Sequence, residues 1–121
     1  MSETVLYRGI RQPLPVTLRN HGLDIPQWQR MIDACPRDSH GNAGCMACGK
    51  RPKNLILNID HEHVRGYKRG SDEFKQKHHR GLVCHMCNRY RLARGATPEV
   101  LHGAAIYLER YLEGRQPWLF K

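Results

Sequence analysis

Two Cys-x-x-Cys pairs, Cys45/Cys48 and Cys84/Cys87, constrain this chain more than any other feature, because together they can present four thiolates to one tetrahedral ion. Zn(II) suits four sulfur ligands. With all four positions closed to substrate, such an ion would tie the 45–48 loop to the 84–87 turn and do no chemistry of its own. Gly44, Ala47 and Gly49 are small enough to let the backbone of the first pair curl around a metal. A 121-residue chain with 40% hydrophobic and only 7% aromatic residues builds a lean single core, so a metal staple meets a need that packing alone leaves open. Cys35 is unpaired and is expected to be a core thiol.

The charge is concentrated. Twenty Lys and Arg against eleven Asp and Glu give +9, and residues 64–94 carry +7 of it. Four thiolates and one Zn(II) would lower the total to about +7, which leaves a strong basic excess. An excess gathered in one segment points to a polyanion, DNA or RNA before a membrane surface. The candidate phosphate contacts are Arg65, Lys68, Arg69, Lys75, Lys77, Arg80, Arg89 and Arg91. No apolar run approaches the ~18 residues of a membrane span, and Met1 to Arg11 lacks the order of a signal peptide. The expectation is a cytoplasmic protein with no membrane partner, where reducing conditions keep spaced cysteines as metal ligands rather than disulfides.

Three regions are expected. Residues 1–20, with Pro13 and Pro15 and no helical period, read as an extended arm. Residues 21–96 read as the zinc-bound core. There Asp24 caps a helix from about Pro26 to Ala34 that gathers Ile25, Trp28, Ile32 and Cys35 on one face. The run Leu55, Leu57, Ile59 suggests a strand, Gly66 to Lys77 a long loop, Gly81 to Val83 a second strand and Asn88 to Arg94 a helix. In residues 97–121, Thr97 and Pro98 start a helix with a stripe of Leu101, Ala104, Ala105, Leu108 and Leu112, followed by the apolar tail Trp118, Leu119, Phe120. Stripe and tail would dock on this chain or on a second copy. The fold class is a small, zinc-stabilised α+β fold.

Between the cysteine pairs lies Asn58-Ile59-Asp60-His61-Glu62-His63, and directly after the last cysteine lies Asn88. Asp60 and Asn88 offer hard oxygen ligands suited to Mg(II) or Mn(II), leaving most coordination positions to water and phosphate. His61 can take a proton from an attacking water. Neighbours in an unbroken strand point to opposite faces, so the strand must end or bulge at Asp60-His61 for both to serve one site. The zinc turn before Asn88 would bring it across to Asp60. His78 and His79 could meet phosphate or face water, His85 lies between zinc ligands, and His21, His40 and His102 read as surface residues.

The order Cys45/Cys48, Asp60-His61, Arg80-Gly81-Leu82-Val83-Cys84 and Cys87-Asn88 resembles the phage recombination endonuclease VII family, part of the wider His-Me finger (HNH-like) nucleases. The likeness runs from about Gly22 to Arg94. It implies a ββα-metal core in which a β-hairpin and a helix surround the catalytic ion, a structural zinc held by Cys45, Cys48, Cys84 and Cys87, and Mg-dependent cleavage of DNA. In the best-known members a homodimer cuts Holliday junctions and other branched structures. Carried over residue by residue, the resemblance implies that His61 is the general base, Asp60 and Asn88 are ligands of the catalytic Mg(II) or Mn(II), and His63 is a phosphate contact or transition-state stabiliser. Arg91 stands where junction-resolving members have a carboxylate, three residues after the metal-binding Asn; a guanidinium there would contact phosphate. Two other readings stay open, a duplex-nicking HNH-type endonuclease and a non-enzymatic zinc-knuckle DNA-binding module.

Overall fold

Arg8 and Gly9 both have positive φ, 49° and 78°, which makes a two-residue turn of the hand that suits a hairpin. They join β1 (Leu6–Tyr7) to β2 (Ile10–Arg11) in an antiparallel pair. Arg8 tolerates this backbone because its Nε donates to Asp33 Oδ1, and Tyr7 Oη donates to the same oxygen at 2.8 Å. A helix α1 (Pro15–Asn20) follows, with Pro15 in the first turn, where a missing N–H costs nothing. The expected extended arm is therefore a hairpin and a helix. The computed structural model describes residues 4–92 and 95–114, so Arg94 and the tail Trp118, Leu119, Phe120 lie outside the described residues.

Asp24 caps α2 (Ile25–Asp33) through a reciprocal box: Gln27 N–H donates to its carboxylate, and the Gln27 side-chain oxygen accepts from the Asp24 N–H. The face this creates is the one expected, with Trp28 and Ile32 fully buried and Cys35 nearly so. Burying side chains of this size stabilises by roughly 1.5–3 kcal/mol each. The next strand starts later than the apolar run suggested. Leu55 has φ 62°, outside the strand region, so β3 is confined to Asn58–His61.

The stretch expected as a long loop contains a tight turn at Tyr67–Arg69 and a helix α3 (Asp72–Lys77) capped by Ser71, whose Oγ accepts from Phe74 N–H. It delivers the chain to β4 (His79–Val83), which pairs antiparallel with β3. A π-helical turn at Cys87–Arg91 ends this part. The chain divides into two compact units, Met1–Arg91 and Leu92–Lys121. In the first, Ile10, Leu18, Trp28, Ile32 and Leu82 are fully buried together with Cys45 and Cys87, so two of the candidate zinc ligands are core residues. The second contains α4 (Pro98–Leu112), capped by Thr97 as expected; no residue of α4 is buried. Among the described residues no helix is long and apolar enough to cross a membrane.

Candidate active site and metal centre

The four expected sulfurs come together. Those of Cys45, Cys48, Cys84 and Cys87 all lie within 4.8 Å of one another, and Cys48 and Cys84 are 3.8 Å apart. A tetrahedral ion with Zn–S bonds of about 2.3 Å spaces its sulfurs by about 3.8 Å, so the cluster has the dimensions of a zinc site. The backbone has the tightness this requires. Gly49 has φ 79°, and a Cβ on Gly44 would sit 2.5 Å from the Gly49 carbonyl oxygen. Burial raises the Cys45 thiol, but N–H donors on the backbone, from Cys48, Cys84 and Ala47, outweigh it and bring the group down to about 7. Burial pushes Cys87 up to about 12 despite a hydrogen bond from Arg91, and the three other cysteines add to the rise. Four sulfurs this close cannot all ionise without a cation among them, and the donor set fits Zn(II).

Across the β3–β4 pair, Asp60 opposes Gly81 while His61 opposes His79, so Arg80 is an extra residue and the ladder bulges between Asp60 and His61. The break anticipated at this point is there, with the additional residue on β4. Both residues then line one cleft of about 770 Å³, together with Asn58, His63 and Asn88. Residues 11–15, Thr17 and His21 also line it, so the hairpin and α1 contribute to the site. Asp60 is 4% exposed, and its two oxygens accept from Arg80 Nε and Nη2 at 2.8 and 2.9 Å. An ionised carboxylate has about four lone-pair positions, so one remains on each oxygen for a hard cation. Among the described residues lining the cleft, Asp60 is the one carboxylate.

His61 is oriented by its own turn. Its Nδ1 lies 3.0 Å from the Glu62 carbonyl oxygen, which can only accept; the hydrogen is therefore on Nδ1, and Nε2 is the basic nitrogen. The imidazole stacks on Tyr67 with centroids 3.8 Å apart and planes 3° apart. Tyr67 in turn touches two further histidines, through its hydroxyl, at His21 Nδ1 (2.7 Å) and His79 Nε2 (3.1 Å).

A family model for recombination endonuclease VII matches residues 26–110. The chain belongs to the recombination endonuclease VII family. It is a nuclease, and DNA is its substrate. Neither the comparison with curated proteins nor that with solved structures gives a match.

In this endonuclease VII family member the basic segment does not present one uniform face. Arg65, Lys68, Arg69, Lys77 and Arg89 are exposed and available to phosphate. Lys75 is buried instead, Arg80 is held in the fork on Asp60, and Arg91 Nη1 donates to Cys87 Sγ at 3.1 Å. Cys87 and Arg91 are four residues apart on a helical turn, which carries the guanidinium to the sulfur cluster.

His21, expected on the surface, lines the cleft of this nuclease half-buried. Desolvation lowers its imidazole from 6.5 to about 4, and positive charge on His61, His79 and Lys75 acts in the same direction. The unfolded chain takes up a proton at this residue below about 6.5, whereas the folded one does not until about 4. Its contribution to stability is therefore whole above 6.5 and is lost as the pH falls towards 4. With solvent screening allowed for, the unfolding free energy should drop by about 1 kcal/mol across that window. Urea melts at several pH values should show His21→Gln losing that part of the dependence; identical pH profiles for the two proteins would contradict this role.

Proposed function

We propose that this protein is a Mg(II)-dependent DNA endonuclease that hydrolyses phosphodiester bonds and selects branched DNA such as Holliday junctions. The observation that carries the reading is the convergence of Asp60, His61, His63 and Asn88 on one cleft through the bulge opposite Arg80. His61 Nε2 takes the proton of the attacking water, with Nδ1–H on the Glu62 carbonyl holding the ring in the correct tautomer. Asp60 and Asn88 would hold Mg(II) or Mn(II), which when bound supplies charge neutralisation at the scissile phosphate and the departing oxygen. Arg80 fixes the plane of the Asp60 carboxylate. His63, exposed at the cleft, contacts the phosphate, and Arg65, Lys68, Arg69, Lys77 and Arg89 hold the flanking backbone. Zinc on the four cysteines is structural, and the reducing cytoplasm keeps the thiolates available. The exposed apolar residues of α4 support a homodimer, which would place two such sites on a junction.

Duplex nicking is a second reading, favoured by Arg91 lying where a carboxylate would assist junction-resolving chemistry. A four-way junction and a linear duplex of matched sequence, incubated with protein and Mg(II), separate the two, with Asp60→Ala as control. Faster cleavage of the junction is expected. Equal rates would favour duplex nicking, and binding without cleavage of either DNA would favour a non-enzymatic DNA-binding module.

A further inference from the structure

We propose that Tyr67 is a positioning residue for the reaction, a plate clamped between two histidines that fixes the plane of the His61 imidazole. This rests on the reading of His61 as general base. The two rings lie in face-to-face contact, with planes 3° and centroids 3.8 Å apart, so whatever holds the tyrosine constrains the imidazole. The constraint is visible at the other end of the tyrosine. Tyr67 is 7% exposed, and its hydroxyl lies within hydrogen-bond distance of His21, at the end of α1, and of His79, in β4.

One hydroxyl has one hydrogen. Tyr67 can donate to one ring nitrogen, and the other must then donate its N–H to the phenolic oxygen, which gives the two histidines opposite hydrogen-bonding roles. Burial lowers the proton affinity of both His21 and His79, in keeping with neutral rings that can divide these roles. Pinned at the hydroxyl from two elements and buried around its ring, the tyrosine holds its place, and the imidazole lying on it can turn only within its own plane. The Nδ1–H bond to the Glu62 carbonyl removes that remaining freedom. Face and edge are thus held by separate contacts, and Nε2 is the nitrogen left to work. His79 is also the register partner of His61 at the bulge, so the strand that displaces His61 towards the cleft carries one jaw of the clamp.

The test uses the zinc-loaded full-length chain. In the wild-type protein, the ring protons of His61 should resonate upfield of those of the exposed His40, because they lie over the tyrosine face, and Tyr67→Leu should remove the shift. With Mg(II) and DNA, Tyr67→Leu should lower kcat roughly 10- to 100-fold, the scale on which misplaced catalytic groups lose rate, with KM and zinc content near wild type. Tyr67→Phe keeps the plate and loses the clamp, and should retain the shift with a smaller loss of kcat. A wild-type spectrum without the upfield shift would overturn the proposal even if Tyr67→Leu failed to fold, and so would a folded Tyr67→Leu with full kcat. If His61→Ala cleaved as the wild type does, the general-base reading would fall and this assignment with it; an inactive His61→Ala beside a fully active Tyr67→Leu would remove the positioning role alone.

Discussion

Cleavage of DNA should fall by roughly 10²- to 10⁴-fold when His61 is replaced by Ala, the loss expected when a positioned general base is removed. Binding should be nearly unaffected, because affinity for DNA comes chiefly from phosphate contacts and the exposed residues Arg65, Lys68, Arg69, Lys77 and Arg89 remain. Asp60→Ala should be at least as damaging, since it takes away the hard oxygen ligand proposed above and also leaves Arg80 without the carboxylate it grips with two hydrogen bonds. Asp60→Asn separates these effects. It keeps the shape and one acceptor, so a variant that folds normally and is inactive assigns the loss to the carboxylate charge. The measurement is plasmid nicking in Mg(II), paired with binding in Ca(II). Wild-type nicking by either Ala variant would dismantle the site proposed above.

Removing the zinc should have the larger effect on the molecule as a whole. Structural zinc contributes about 10–16 kcal/mol of apparent binding free energy in small zinc domains, whereas the net stability of a domain is about 5–15 kcal/mol. Here Cys45 and Cys87 are themselves fully buried, and the cluster joins the 45–48 turn to the end of β4 and the turn that carries Asn88. A chelator, followed by Mg(II) restored in excess, should therefore abolish helical circular dichroism and cleavage together, and zinc added back should recover both. Cys84→Ser should behave in the same way, with metal analysis falling from one zinc per chain. A chelated protein that melts and cleaves like the untreated one would show that the sulfurs do not carry the fold.

Much of this site is written locally. Metal ligands must be particular residue types at short spacings, and short spacings survive folding; hence Cys45/Cys48 and Cys84/Cys87 can be read as one cluster from their spacing alone, and the capped starts of α2 and α4 at Asp24 and Thr97 can be read the same way. The need for a break in the strand at Asp60 and His61 is local too, because it follows from the two-residue period of a β-strand. Ser71 with Asp72 and Glu73 is a legible cap for α3, but Gly66 and Gly70 in the same stretch favour a loop reading.

The hairpin at residues 6–11 is obscured for a physical reason. Its turn places Arg8 in a left-handed conformation that arginine does not select by itself; the contact with Asp33, 25 positions away, holds it there. His21, Tyr67 and His79 carry no shared pattern either, since they come from a helix end, a tight turn and a strand, and only their packing makes one unit of them. Lys75, Arg80 and Arg91 count identically in a charge tally, yet one is buried, one grips Asp60 and one faces sulfur. Which atoms can bind metal, take a proton and meet phosphate is legible along the chain, because those are properties of residue type and near spacing. Which way each of them faces, and what holds it there, emerges with the fold, because orientation is set by partners that are distant along the chain.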